Sequence, residues 1–214
     1  MADQELTFYF APHSRAGIVL WMLEELGVPY KMERLSLKQG THKAPEYLAV
    51  NPMGKVPAIK HGDTVVTEAA AICCYLADAF PAAGLAPAIG DPDRGTYLRW
   101  LFFSPSCIEP AMGDKAFSRP PVPSSAVGYG DFDTVMEATS QAVSRGDYVL
   151  GDRFSAADVV LGSTLRYGMM FKVIPKRPEF EAYTARLASR AALQRTMARD
   201  EELAAAEEAE APTA

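Results

Sequence analysis

Cysteine is scarce and poorly placed for cross-linking. Of the three present, Cys73 and Cys74 are adjacent, a poor geometry for an ordinary disulfide. The sequence therefore reads as a reduced chain in a cytoplasmic setting. Basic charge is also in deficit: 21 Lys and Arg against 27 Asp and Glu leave a net charge of −6. That balance argues against nucleic-acid and acidic-membrane partners, which are bound mainly through basic patches. No apolar run approaches the ~18 residues needed to span a bilayer. The start, MADQELTFYF, lacks the basic n-region and apolar h-region of a secretory signal. No internal repeat is visible, and no metal is expected. What remains is an ordinary globular composition, 49% hydrophobic and 22% charged over 214 residues, long enough for one large core or two small ones.

The first 80 or so residues alternate between strand and helix patterns. Leu6–Phe10 is short and aromatic, ends at Ala11-Pro12-His13, and reads as a buried strand. Val19, Met22, Leu23 and Leu26 then recur at helical spacing, with Glu24 and Glu25 on the other side. Gly27 is a plausible stop, and Pro29 prevents continuation. A second strand is expected over 30–37 and a helical turn around Tyr47. Asn51-Pro52-Met53-Gly54 turns into a third strand with Pro57 near its start, where a sheet tolerates proline. His61-Gly62-Asp63 reads as a hairpin turn into a strand from Thr64 to Val66. Ile72, Tyr75, Leu76 and Ala79 mark a helix ending before Pro81. The pattern predicts a mixed α/β domain over 1–82.

Residues 83–92 read as a Pro/Ala/Gly-rich linker, and 93–203 as an all-helical domain. Helices are expected over 94–103, 131–144, 178–189 and 191–203, with a loop at 119–130. Phe154-Ser155-Ala156-Ala157-Asp158-Val159 is a helix start: Ser155 caps, Asp158 reaches back, and Phe154 and Val159 hold the staple positions. The helix that follows is apolar nearly all round and reads as a buried spine. Its acid is read as structural. The tail, 204–214, reads as frayed or disordered.

The candidate chemistry lies in the first domain. Glu68 sits at a helix start, where free backbone N–H groups can also hold a carboxylate. Val56 precedes Pro57, an X–Pro bond and thus the common site for a cis peptide, and can offer its backbone for strand-like pairing with a peptide. His42, Lys43 and Lys55 stand in two segments able to reach a second carboxylate. Ser14 opens the first helix, where a hydroxyl and the helix dipole can stabilise a thiolate. An acid, an open edge, cations and a hydroxyl are what glutathione needs along its length. The bland readings are an N-cap for Ser14, a dipole partner for Glu68, solvated charge for His42, Lys43 and Lys55, and core packing for the cysteines and the helical-domain aromatics.

The stretches HKAPEYLAVNPMGKVPAI and TEAAAICCYLAD, together with GDRFSAADVVLGSTL in the second half, resemble the cytosolic glutathione S-transferase family, most closely its serine-type, phi-like and bacterial branches. The resemblance implies a thioredoxin-like domain followed by an all-helical domain, glutathione as cosubstrate, a small hydrophobic electrophile as second substrate, and a homodimer. Glu68 would bind the γ-glutamyl amino group, Val56 would pair with the cysteinyl backbone before a cis Pro57, and His42, Lys43 and Lys55 would meet the glycine carboxylate. Ser14 would face the sulfur, with His13 and Arg15 as alternatives because the loop is one residue shorter than the phi pattern, and Tyr9 because other classes of the family use a tyrosine at the end of the first strand. Ala69 stands where the family usually has Ser or Thr, which removes a hydroxyl contact but leaves a backbone N–H. Pro12, Phe103, Cys107 and Tyr167 are candidates for the electrophile pocket. Two other functions stay open: a glutathione-dependent reductase, isomerase or ether-cleaving relative, and a non-catalytic interaction module.

Overall fold

The structure, a computed structural model, describes residues 4–210. It divides into two compact units: the described residues up to Ala83 together with those from Arg190 onward, and Gly84–Ser189.

The first unit opens with β1 (Leu6–Phe10), in which Leu6, Phe8 and Phe10 are buried while Thr7 and Tyr9 point to the opposite face. Helix α1 (Ala16–Leu26) follows and ends on Gly27 at φ 65°, a conformation that glycine adopts without the steric cost of a β-carbon. Strand β2 (Lys31–Arg34) is shorter than the sequence pattern suggests. Leu35 still donates to the Phe10 carbonyl, but Ser36 then donates its N–H to the Thr41 hydroxyl. These local polar turns divert the backbone from the ladder. Helix α2 (Pro45–Leu48) is a single turn; β3 (Ala58–His61) and β4 (Thr64–Thr67) form a hairpin, and α3 (Ala69–Ala79) closes the run. The sheet has the order β2-β1-β3-β4, with β1 and β2 parallel and the other pairs antiparallel. This is the mixed α/β arrangement that the pattern predicts, and the thioredoxin-like domain that the resemblance implies. Cys73 is a packing residue of α3, and complete burial pushes its thiol pKa up.

The second unit is helical: α4 (Arg94–Phe103), a π-helical turn (Ser104–Ile108), α5 (Glu109–Ala116), α6 (Phe132–Val143), α7 (Ala156–Met170) and α8 (Pro178–Ala188). Helix α7 is buried without interruption from Ala156 to Leu165. Its base is fixed by Asp158, fully buried, whose carboxylate accepts from the N–H groups of Val149 and Ser155 and the hydroxyls of Ser155 and Tyr183. Burial is the main cause raising its pKa. The acid is a structural post, as its spacing suggests. No helix among the described residues is long and apolar enough to cross a membrane.

Two boundaries differ from expectation. The last helix, α9 (Ala191–Ala209), runs through residues read as frayed tail, and it belongs to the first unit instead of the helical one. The reason is its inward face. Leu193, Thr196 and Ala204 are buried, Arg190 makes a two-pronged ion pair with Glu25 of α1, and Arg195 pairs with Glu24. The α1 glutamates, which the spacing puts on the other side from the apolar residues, are thus the anchor of α9.

Candidate active site

Strand register gathers the candidate residues at one end of the sheet. Tyr9 lies opposite Ala58, and Ala58 opposite Thr67. The segments just beyond this row are residues 11–15 after β1, Val56-Pro57 before β3, and Glu68 after β4. Three adjacent strands therefore deliver the loop with Ser14, the Val56 edge and the acid to the same side.

Ser14 is half-buried. Its Oγ donates to the Ala11 carbonyl (2.7 Å) and accepts from the Ala16 N–H (3.1 Å). The Ala16 N–H therefore holds the oxygen at the N-terminus of α1, while its single proton, now on the Ala11 carbonyl, can turn to another acceptor. A thiolate is a stronger acceptor than a neutral carbonyl, so an incoming sulfur can draw that proton without moving the oxygen.

The Val56–Pro57 peptide bond is cis. Among the described residues neither the N–H nor the C=O of Val56 has a hydrogen-bond partner. The loop before it is braced by residues the sequence argument did not single out. Buried Asn51 donates to the Lys55 carbonyl at 2.8 Å and accepts from the Met53 N–H at 3.1 Å. The buried Tyr47 hydroxyl also reaches the Lys55 carbonyl, and burial raises its pKa to about 12. Gly54 has φ 56°, and a β-carbon there would stand 2.8 Å from both the His42 carbonyl and Lys43 Nζ. Only glycine satisfies both demands. The Asn-Pro-x-Gly string is the sequence signal for this brace.

The cationic side is built on the same loop. Lys43 Nζ donates to the Met53 carbonyl at 3.0 Å. His42 Nδ1 is buried without a hydrogen-bond partner, an expensive state unless a ligand completes it. The Lys55 ammonium is exposed, with no partner among the described residues.

Glu68 precedes α3 at φ 70°, ψ 119°, and no side chain caps the helix. A non-glycine residue held in this region carries strain of about 1–3 kcal/mol and persists only where its surroundings impose it. The result is an open helix N-terminus beside an exposed carboxylate that has no side-chain partner among the described residues. Ala69, the first residue of α3, contributes a backbone N–H and no hydroxyl.

The alternatives to Ser14 occupy other surroundings. Tyr9 packs on Tyr47, ring centroids 5.4 Å apart. His13 is exposed, with its N–H on Asp200 and its ring beside Glu201. Arg15 is exposed at the start of α1. Of the residues assigned to the electrophile pocket, Pro12 is buried in the first unit, and the other three belong to the second. Phe103 packs edge-on against Trp100 (4.9 Å). Cys107 lies on the π-helical turn, its thiol pushed up in pKa by burial and opposed by Arg99. Tyr167 lies with Met169 and Met170 along a groove between α7 and α8.

Residues 15–79 match the glutathione S-transferase N-terminal domain and 132–191 its C-terminal domain. Glutathione S-transferase 3 of Zea mays is 28% identical over 195 residues, covering 84% of this chain and 87% of that protein. A glutathione transferase structure from Methylococcus capsulatus is 30% identical with a TM-score of 0.77, covering 92% of this chain and 98% of that one. A homologue from Sulfitobacter, determined with bound glutathione, is 27% identical with a TM-score of 0.72, covering 93% and 99%. The chain belongs to the glutathione S-transferase family.

Proposed function

We propose that the chain binds glutathione extended along residue 56 and conjugates it to small hydrophobic electrophiles, with the Ser14 hydroxyl donating to the sulfur. The observation that carries this reading is the unpartnered Val56 backbone, flanked by the strained, uncapped Glu68 on one side and the orphaned His42 Nδ1 on the other. An extended peptide with a cationic amine at one end and a carboxylate at the other complements those groups. Glu68 takes the amine, and the open α3 N-terminus, Ala69 N–H included, takes the adjoining carboxylate. His42, Lys43 and Lys55 take the far carboxylate.

A free thiol with a pKa near ~8.5 is mostly protonated at neutral pH. The Ser14 hydroxyl and the α1 N-terminus stabilise the thiolate, whose proton leaves to solvent. The sulfur then forms its bond to the electrophilic carbon while the leaving group departs with its electron pair; no covalent enzyme intermediate is involved. Ser14 is favoured over Tyr9 because it stands at the helix start, whereas Tyr9 is engaged with Tyr47. We also read the chain as a homodimer, as membership of the family implies; sedimentation velocity giving a monomer overturns that part.

The test combines calorimetric titration with glutathione and turnover of a nitro-activated aryl halide. Removing the Glu68 carboxylate costs about 1.5–3 kcal/mol, so Glu68→Ala should weaken binding roughly 10- to 150-fold. Ser14→Ala should bind normally and lose roughly 10- to 150-fold in turnover, the equivalent of about 1.5–3 kcal/mol for a hydrogen bond to a charged group. Unchanged affinity in Glu68→Ala sinks the binding mode. Binding without turnover in wild type points to the non-catalytic module.

A further inference from the structure

The loop carrying Ser14 is held from outside by a residue the reading above leaves unused. Asp200, half-buried in the middle of α9, accepts the His13 backbone N–H through Oδ1 at 3.1 Å, and Glu201 stands 3.3 Å from His13 Nε2. His13 has φ 51°, a conformation that a β-carbon disfavours and that persists only when held. Ser14 is the next residue, its oxygen suspended between the Ala11 carbonyl and the Ala16 N–H. A shift at His13 therefore moves Ser14 directly. Helix α9 is itself fixed to α1, the helix that Ser14 opens, through Arg190–Glu25 at 2.6 and 2.8 Å and Arg195–Glu24 at 2.7 Å. Further along, Glu208 pairs with Lys38 at 3.5 Å and Glu210 with Arg34. The carboxylate is thus carried on an element fixed to the last turn of the helix that Ser14 opens.

We propose that Asp200 is a positioning residue, which clamps the His13 amide so that the Ser14 hydroxyl is presented to the glutathione sulfur. The inference rests on the Ser14 reading. Asp200 touches no substrate; it acts through two peptide units. Its consequence is chemical: a loosened loop spreads the hydroxyl over several positions, the thiolate loses a well-aimed donor, and the bound thiol ionises at higher pH. The groups facing Asp200 are His13, whose amide and ring favour the charged carboxylate, and Glu201, which opposes it.

The experiment follows the ultraviolet absorbance of the thiolate of enzyme-bound glutathione against pH in wild type, Ser14→Ala, Asp200→Ala and Asp200→Asn. Asp200→Ala should raise the ionisation midpoint by about one pH unit, which lowers thiolate and kcat/KM at neutral pH roughly tenfold, with the KM for glutathione unchanged. Asp200→Asn keeps an oxygen that can accept the His13 N–H and should restore the wild-type midpoint. A merely structural role would reduce the amount of active protein without moving the midpoint. Should Asp200→Ala not fold, Asp200→Ser, too short to reach the amide, replaces it. A midpoint unchanged in Asp200→Ala but raised in Ser14→Ala overturns the inference alone, as does an Asn variant that behaves like the Ala variant. A midpoint unchanged in Ser14→Ala overturns the Ser14 reading and the inference with it.

Discussion

Replacing Asp158 by alanine should do more damage than any other single change in the second unit. The carboxylate is fully buried and accepts four hydrogen bonds: Val149 N–H at 2.9 Å, Ser155 N–H at 2.9 Å, the Ser155 hydroxyl at 3.1 Å and the Tyr183 hydroxyl at 2.8 Å. Alanine leaves all four donors without an acceptor. The two hydroxyls can rotate toward other oxygens, but the two amides cannot. Each stranded donor costs about 1–3 kcal/mol. Against this, the mutant no longer buries a carboxyl whose ionised form is disfavoured there, as the raised pKa shows. The balance is a loss of about 3–5 kcal/mol, a large part of the roughly 5–15 kcal/mol that holds a typical protein folded.

Urea denaturation followed by circular dichroism measures this directly. For a chain of this length ~1 kcal/mol corresponds to about 2–4 °C in Tm, so the melting point should fall by about 10 °C. If the two units unfold separately, only the transition of Gly84–Ser189 should move, and amide exchange should rise first at Val149 and Ser155. Asp158→Asn keeps one accepting oxygen and places an NH2 against a donor, so it should fall between wild type and alanine. A loss in Asp158→Ala under ~1 kcal/mol would refute the claim that this acid holds the start of α7.

Gly54→Ala combines a disfavoured φ with a β-carbon 2.8 Å from the His42 carbonyl. It should displace residues 42–43, weakening glutathione binding about tenfold, equivalent to ~1.4 kcal/mol, by calorimetry. Glu25→Ala removes the carboxylate to which Arg190 and the indole N–H of Trp21 are bonded, and should cost about 2 kcal/mol in urea unfolding. Burial raises the Asp200 pKa, so the folded state holds that proton to higher pH than the unfolded chain does. The group's contribution to stability therefore declines as pH climbs from ~4 through the folded value. Asp200→Asn should gain on wild type across that interval when denaturation midpoints are compared at its two ends.

Local chemistry was the legible part. Gly27 and Pro29 ended α1 where their backbone limits require, and Ser155 and Asp158 announced the start of α7 because capping is a contact within one helical turn. The site segments were legible for a related reason. Ser14 and Glu68 follow short strands and the Val56-Pro57 pair precedes one, so the pairing of the three strands brings them to one end of the sheet. The brace beneath that end was harder to see. Asn51 and Tyr47 look like turn and core residues in isolation, and only the folded loop shows both aimed at the Lys55 carbonyl.

Helix α9 shows where such reading stops. Its C-terminal turns, rich in alanine and glutamate, carry no continuous apolar stripe, and most helical stability in proteins comes from packing such a face. What orders it is a partner some 165–171 residues upstream: Glu24 and Glu25 meeting Arg195 and Arg190. Neither side of those pairs is diagnostic by itself, since glutamate opposite an apolar face is the usual mark of a solvated surface. Two surfaces that each read as wet become an interface only once charge on one is matched to charge on the other. The same matching places Asp200 beside His13. A residue controlling the Ser14 loop can therefore sit far away in sequence, on a helix whose own pattern gives no sign of that role.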